Sequence, residues 1–176
     1  MNPIAAEPIR TARLTLVPLT PEHAGPMAAV LGDPALHAFT GGSPLGADAL
    51  RAQYERWAAG PADPAVSWCN WVIRLEEAGC LTGTVQATIT AGAGPGSRSA
   101  LAEVAWVVGT KWQGRGIATE AARALVGWLG RRGAGAVVAH IHPDHHASAA
   151  VAAKVGLQPT GRLSDGEQVW SMTPDR

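Results

Sequence analysis

The sequence predicts an α/β fold with a mixed, mostly antiparallel sheet of about six to seven strands and about four flanking helices. The chain has 176 residues, which suits one hydrophobic core, and 47% of them are hydrophobic, too many for a disordered chain. Short β-branched runs alternate with segments of helical spacing, and no internal repeat is evident. We therefore expect a single domain over residues 1–176, with a flexible start over residues 1–9.

The predicted elements follow one another as strand, two helices, three strands, helix, strand, helix and hairpin. Runs rich in β-branched or aromatic residues between turn residues predict strands over 13–19, 66–75, 80–89, 101–108, 136–142, 157–163 and 167–172. Helical spacing, initial prolines and closing glycines predict helices over 21–32, 47–57, 117–129 and 147–156. The stretch Ala91–Ser99 is predicted to be a flexible loop because of its composition.

Composition and charge argue against several classes of protein. The formal net charge is zero, with 14 basic and 14 acidic residues, which disfavours a broad nucleic-acid surface. Cys69 and Cys80 fall on neighbouring predicted strands, and with Cys69 opposite Gln86 no disulfide is expected. Two free thiols indicate a reducing compartment. Since there is no apolar run of membrane-spanning length and no secretion signal, we expect a cytoplasmic protein without membrane contact.

Two glycines, Gly114 and Gly116, stand just before the longest predicted helix. Glycine permits positive φ and lets other atoms approach the backbone. The first N–H groups of a helix have no internal partner, so a turn over Gln113–Ala118 favours a bound phosphate. A tight turn without a ligand is the alternative.

Two common phosphate motifs do not fit this turn. A Walker loop needs Lys-Ser/Thr after its second glycine, but Gly109–Gly114 is followed by Arg115. A dinucleotide fingerprint needs three glycines directly at a strand end, and Gly114–Thr119 ends in threonine away from the strand. Neither ATP nor NAD is therefore the expected ligand.

The hexapeptide QGRGIA, Gln113–Ala118, resembles the Gln/Arg-x-x-Gly-x-Gly/Ala motif of the GNAT acyltransferases, which seats the pyrophosphate of acetyl-CoA. The flanking AEVAWVVGTKWQGRGIATEAA and HIHPDHHASAAVAAKVGL resemble that family's strand-loop-helix and its following strand and helix. RTARLTLVPL resembles the opening of the branch that acetylates the N-termini of ribosomal proteins (RimJ/RimL-like). The resemblance implies a GNAT-like fold and an acetyl-CoA-dependent N-acetyltransferase in which a primary amine attacks the thioester directly.

The resemblance also implies which residues bind acetyl-CoA. The strand that ends at Val108 is expected to splay from its neighbour and expose backbone to the pantetheine arm. His145 occupies the position where the family usually has an asparagine that contacts pantetheine. The residues implied in binding are Trp106, Val108, Gln113, Gly114, Arg115, Gly116, Ile117, Ala118, Thr119 and His145.

Glu103 and Ser148 are the candidate catalytic residues. Glu103 stands among apolar residues of a predicted strand, which would raise its pKa and suit a general base; a hydrogen-bonded strand carboxylate or catalysis through water are the alternatives. By the resemblance, Ser148 lies near the thioester sulfur and protonates or stabilises the thiolate, although it also fits a helix N-cap. Many family members use a tyrosine on this last helix as the acid, but the only tyrosine here is Tyr54.

No metal is expected. A cluster rich in histidine invites a metal interpretation, but its ligand spacing is not distinctive. Its members are His140, His142, Asp144, His145 and His146.

Two other functions stay open from the sequence. A non-catalytic module that binds CoA or a metabolite is motivated by the missing tyrosine and by His145. The second open function is acyl transfer from a different donor, such as a longer acyl-CoA or an aminoacyl-tRNA. The zero net charge argues against tRNA. The sequence does not determine the amine acceptor. Residues 31–61 are expected to border the acceptor site. Trp68 and Trp71 lie on opposite strand faces, so one of them is expected to line the acceptor pocket. Dimers are common in the family, which leaves a homodimer open.

Overall fold

An eight-stranded sheet forms the centre of the fold in the computed structural model, which describes residues 4–92 and 99–175. The strand order is β1-β2-β3-β4-β5-β6-β8-β7, and every neighbouring pair is antiparallel except β5 and β6. The strands are β1 Ile9–Arg10, β2 Leu14–Pro18, β3 Val66–Leu75, β4 Cys80–Thr90, β5 Ala100–Val108, β6 Ala134–Ile141, β7 Gln158–Ser164 and β8 Glu167–Met172.

Four α-helices flank this sheet in the described part of the chain: α1 Ala24–Val30, α2 Ala47–Ala59, α3 Ile117–Arg131 and α4 His146–Val155. Helix α3 buries its predicted apolar face against one side of the sheet, and Trp128 meets Trp71 edge to face at 5.2 Å. Helices α1 and α2 cover the opposite side, where Met27, Leu50 and Tyr54 pack on Val72. Consecutive residues Trp71 and Val72 thus belong to two separate cores, as the alternation of a strand requires.

The fold class is confirmed, with one strand more than predicted. The additional strand, β1, has only two residues and pairs Ile9 with Leu16. A strand this short cannot carry an alternating pattern, so the sequence gives no sign of it.

The N-terminal segment, for which we expected flexibility over residues 1–9, makes defined contacts from Ile4 onward. The Ile4 N–H donates to Ser67 Oγ at 3.0 Å, and Trp71 Nε1 donates to the Glu7 carbonyl at 2.7 Å. The Glu7 carboxylate also forms a salt bridge with Arg132. Residues 1–3 lie outside the described residues, as do residues 93–98 of the predicted loop Ala91–Ser99.

The register of the β3–β4 hairpin differs from the prediction by one residue. Leu75 pairs with Cys80 as expected, but Cys69 pairs with Ala87 and not with Gln86. The cause is a bulge, because Arg74 pairs with Leu81 while Ile73 pairs with Gly83. Both cysteines are free.

The α-helices begin and end close to their predicted boundaries. Pro21–His23 forms a 3-10 turn before α1, and Gly156 closes α4 in the left-handed conformation with φ 107°. Among the described residues, none of the helices combines the length and apolar character that crossing a bilayer requires.

Candidate active site

A wedge opens between the parallel strands β5 and β6. Their pairing ends at Glu103 and Val138, although β5 continues to Val108 and β6 to Ile141. Helix α3 follows β5 and helix α4 follows β6, so both helices begin at the open end of the wedge. Trp106 and Val108 lie in the length of β5 that pairs with β4 but not with β6, and this open edge can offer backbone groups to an extended ligand. The splay expected for this strand is confirmed.

The glycine turn forms the N-terminus of α3. Gly114 and Gly116 have φ of 73° and 74°, and Gly116 is the N-cap, with no side chain capping the helix. Added Cβ atoms would find open space at Gly114 and ordinary contact at Gly116, where Arg13 Nη2 is 3.5 Å away. The glycines are therefore needed for their left-handed conformation, which L side chains rarely adopt, and not because the turn is crowded.

This conformation leaves backbone donors free at the start of α3. The first intrahelical bond runs from Glu120 N–H to Gly116 O at 3.0 Å, so the N–H groups of Ile117, Ala118 and Thr119 have no helical acceptor. The side chain of Ile117 is buried in the core, so only its backbone can serve a ligand. Such donors at the positive end of a helix dipole suit an anion.

Side chains fix and charge the turn. Gln113 Nε2 donates to Val108 O at 3.0 Å, which ties the turn to the end of β5. Lys111 and Arg115 both lie over the ring of Trp112, at 5.2 and 5.1 Å from its centroid. The loop that leads into α3 therefore carries two cations on one indole ring, and these add positive potential to this region.

A latch between Arg13 and Glu120 was not predicted from the sequence. Arg13 forms a salt bridge to Glu120 at 2.7 Å and donates from Nη1 to the Arg115 carbonyl at 3.0 Å, while Thr11 Oγ1 donates to the same carboxylate at 2.6 Å. Burial acts to raise the pKa of Glu120, but hydrogen bonds from Thr11 and Arg13 outweigh it, so the pKa is lowered. Arg13 and Glu120 are 107 residues apart, and no local pattern in one sequence connects them.

His145 and Ser148 meet at the N-terminus of α4. Ser148 was expected to be the N-cap, but the cap is His145, whose Nδ1 accepts the Ser148 N–H at 3.5 Å. The helix begins at His146, three residues earlier than a Ser148 cap allows, because the imidazole takes over the capping role. His145 Nε2 is 3.1 Å from Ser148 Oγ, so the two side chains form a pair.

An aromatic ring from the loop after α1 covers this pair. Phe39 stacks on His145 with centroids 4.4 Å apart and an interplanar angle of 21°, and it is 5.3 Å from His142. Burial lowers the pKa of His145 below its usual 6.5, and the imidazoles of His142 and His146 lower it further. The neutral imidazole is therefore favoured at this position.

Glu103 is not surrounded by apolar side chains, contrary to the expectation from its flanking residues. Its side chain is exposed, while Ala102 and Val104 point to the opposite, buried face of β5. Alternation along the strand separates sequence neighbours onto different faces. Glu103 pairs with Thr88 of β4, which in turn pairs with Trp68 of β3, so these three residues form one row across the sheet.

A cavity of about 530 Å³ lies at the far end of this row. It is bounded by the end of α2 with its following loop, the start of β3, the end of β2 and the N-terminal segment, including Trp57, Asp63, Trp68 and Asn70. Trp68 faces this cavity and is 41% exposed, whereas Trp71 is fully buried in the core. Only Trp68 of this pair can therefore line a ligand pocket.

Tyr54, the only tyrosine, is buried between α2 and the sheet. Burial raises its pKa to about 12, and its hydroxyl makes no hydrogen bond within the described structure. It cannot serve as a proton donor in the wedge.

The histidine-rich turn does not form a metal site in the part of the chain that the structure describes. His142 Nδ1 accepts the Asp144 N–H at 3.1 Å and lies 3.9 Å from the Asp144 carboxylate, so this ring serves the turn itself.

Comparison with known proteins identifies the family. A model of the acetyltransferase (GNAT) domain matches residues 13–158, so the chain belongs to the GNAT acetyltransferase family. The glycine turn, the wedge and the His145–Ser148 pair all lie within the matched region.

Solved structures share the fold at low sequence identity. A GNAT-family acetyltransferase from Bacillus anthracis has a TM-score of 0.73 at 16% identity, covering 95% of this chain and 98% of its own. RimL, the ribosomal L7/L12 α-N-protein acetyltransferase, solved with coenzyme A, has a TM-score of 0.74 at 17% identity, covering 96% and 99%. The aminoglycoside acetyltransferase AAC(6')-Ib, also solved with coenzyme A, has a TM-score of 0.72 at 18% identity, covering 91% and 94%. No curated protein matches the chain in sequence.

Proposed function

We propose that this protein transfers the acetyl group of acetyl-CoA to a primary amine by direct attack. The observation that carries the proposal is the glycine turn, where a helix N-terminus with free N–H groups begins at the open end of the β5–β6 wedge, after a loop that carries Lys111 and Arg115. Similar folds have been solved with coenzyme A, including RimL and AAC(6')-Ib.

In this proposal the pyrophosphate is bound by the backbone of the turn, together with the side chains that fix it. The pantetheine arm follows the edge of β5 that faces the wedge, at Trp106 and Val108, and reaches His145 across the wedge. The binding residues are thus Trp106, Val108, Gln113, Gly114, Arg115, Gly116, Ile117, Ala118, Thr119 and His145.

The transfer forms one bond and breaks one. The amine nitrogen attacks the thioester carbonyl, the C–N bond forms, and the C–S bond breaks to leave a thiolate. Glu103, on the exposed face of β5, takes the amine proton through an intervening water, since an exposed carboxylate has water within reach. Ser148 donates a hydrogen bond or its proton to the thiolate.

A non-catalytic module that binds CoA is the second candidate. It is favoured by the burial of Tyr54, which leaves no tyrosine near the wedge in the described structure. Release of free CoA from acetyl-CoA in the presence of amines separates the two candidates.

The decisive test of the phosphate seat compares two left-handed glycines at opposite ends of α3. Gly116→Ala and Gly133→Ala introduce the same backbone strain of roughly 1–2 kcal/mol, and neither Cβ atom would meet a close contact. We expect Gly116→Ala to weaken acetyl-CoA binding by about tenfold or more, and Gly133→Ala to leave it unchanged. Calorimetry with acetyl-CoA, desulfo-CoA and ATP measures the affinities of the two variants. Equal affinities of both variants for acetyl-CoA would disprove the proposed phosphate site at the glycine turn.

A further inference from the structure

We infer that the cavity between Trp57 and Trp68 binds the body of the acceptor, and that the acceptor is a small amine with an aromatic ring set apart from its amino group. This inference rests on the proposed function, because it assigns the amine side of the same reaction. It follows from the shape, charge and position of the cavity.

The cavity is large enough for a small molecule. Its volume of about 530 Å³ falls within the ~300–1,000 Å³ range of small-molecule sites. Trp57 is half-buried and held by stacking on Tyr54 at 5.5 Å, so its position is fixed from below. Trp68 projects from β3 into the same cavity and is 41% exposed. An indole exposed to this extent beside a second indole favours a planar guest.

The charge of the cavity lining argues against an acceptor that carries several positive charges. Asp63 is the one ionisable side chain among the described residues that bound the cavity, and its Oδ1 already accepts the Ala65 N–H at 2.8 Å. A polyamine or an aminoglycoside would bring several positive charges against this single carboxylate. The remaining lining is apolar apart from Ser67 and Asn70, and the Ser67 hydroxyl accepts the Ile4 N–H. The part of the occupant that enters the cavity therefore carries at most one positive charge, and most of its contacts are apolar.

A second, smaller space extends from the cavity toward strand β5. This space of about 90 Å³ is bounded by Trp57, Trp68, Asn70, Gln86 and Thr88, and it shares the first three with the main cavity. One of its lining residues is Thr88, which pairs directly with Glu103 of β5. Trp68 and Glu103 are thus two strands apart, ~10 Å at the usual strand spacing. An amine placed at the wedge would need a spacer of about this length to seat its ring between the indoles.

Matched amines test the inference. Phenylhexylamine and hexylamine present the same amino group and spacer, and only the first carries a ring. We expect wild-type kcat/KM, measured by thiol release from acetyl-CoA, to be about tenfold higher for phenylhexylamine. Trp68→Ala should remove most of this preference, and Leu163→Ala should keep it, because Leu163 is an exposed apolar residue on the edge strand β7. Equal rates for the two amines, an unchanged preference in Trp68→Ala, or a preference for an aminoglycoside would overturn the inference.

Binding separates this inference from the proposed function. Calorimetry with phenylhexylamine in the presence of desulfo-CoA reports on the cavity without any turnover. Binding that is lost in Trp68→Ala, together with no thiol release from any amine, would retain the cavity assignment and reject the acetyl transfer. Thiol release that shows no ring preference dependent on Trp68 would retain the acetyl transfer and reject the cavity assignment. Trp57→Ala is the second variant, although its contact with Tyr54 makes Trp68→Ala the safer one for folding.

Discussion

His145 contacts Ser148 through both of its ring nitrogens: Nδ1 accepts the Ser148 N–H at 3.5 Å, and Nε2 lies 3.1 Å from Ser148 Oγ. A nitrogen that accepts a hydrogen bond carries no proton, so the neutral ring holds its proton on Nε2. Nε2 therefore donates to the Ser148 oxygen, and the serine hydrogen is left to point elsewhere. In the proposed reaction this arrangement leaves the Ser148 hydroxyl hydrogen available to the thiolate.

Substitutions at His145 should separate its capping role from a purely local packing role. Asparagine also caps helices and can donate from its amide, whereas alanine can do neither. We expect His145→Ala to lose about 1 kcal/mol of stability and to lower kcat, and His145→Asn to keep most of both. Thermal melting and thiol-release kinetics provide the comparison. Indistinguishable behaviour of the two variants would contradict the assigned role.

The pH dependence of the wild-type rate should contain a contribution from His145. Its folded-state pKa lies below the unfolded value of 6.5, first because of burial and then because of His142 and His146. The neutral ring is therefore stabilised by folding. The stability that folding gains from the neutral His145 ring is complete above pH 6.5 and is lost as the pH falls through the lower folded pKa. Since the amine also titrates, the quantity to measure is the ratio of wild-type to His145→Asn kcat at each pH. A ratio that stays constant from pH 8 down to the lowest pH at which both proteins remain folded would exclude the effect.

Tyr54→Phe should be neutral or stabilising and should leave catalysis intact. The Tyr54 hydroxyl is buried without a hydrogen-bond partner in the described structure, so its removal relieves a desolvation cost of roughly 1–3 kcal/mol. The comparison needs chemical denaturation for stability and thiol release for activity. A large loss of activity would show that Tyr54 takes part in the reaction after all.

The local parts of the site were predictable from the sequence, and the relationships across the chain were not. Gly114 and Gly116 predicted a turn before a helix start, where the first N–H groups have no helical partner, and both glycines adopt the positive φ that such a turn requires. The Arg13–Glu120 latch and the stacking of Phe39 on His145 join distant segments, and neither leaves a pattern in one sequence. Glu103 shows the opposite error: its sequence neighbours are apolar, but they face the other side of β5. Ser148 was assigned a cap that His145 fills, since histidine is an infrequent cap and the usual preference pointed to serine.

Gly83→Ala should destabilise the sheet beside the wedge. Gly83 pairs with Val108, and an added Cβ would collide with the Val107 carbonyl and come within 2.9 Å of Val108 Cα. Backbone cannot move aside as a flexible side chain can, so we expect a loss of at least ~2 kcal/mol. Gly25→Ala in α1 is the matched control, because its Cβ meets nothing within 4 Å and alanine favours a helix. Urea denaturation of both variants measures the difference, and a stable Gly83→Ala would show that β4 and β5 approach less closely than described here.

Glu120→Gln should weaken acetyl-CoA binding because it loosens the latch that holds the glycine turn. The Glu120 carboxylate forms a salt bridge with Arg13 and accepts a hydrogen bond from Thr11. Arg13 also donates a hydrogen bond to the Arg115 carbonyl. A partly exposed ion pair contributes about 0.2–1 kcal/mol, so we expect a loss of affinity of about threefold. Glu55→Gln is the control, since it removes a similar carboxylate from the Arg51–Glu55 pair of α2, on the opposite side of the sheet from α3.

The same carboxylate gives the latch a dependence on acid. The pKa of Glu120 is lowered, because hydrogen bonds from Thr11 and Arg13 outweigh the raising effect of burial. Its stabilising contribution is therefore present above the usual value of 4.5 and is lost as the pH falls through the lower folded pKa. Wild-type stability should fall more steeply than that of Glu120→Gln below pH 4.5, which thermal melting at stepped pH can follow. Parallel curves for the two proteins would mean that the Glu120 charge makes no net contribution to folding, and any loss of affinity in Glu120→Gln would then need a cause other than the latch.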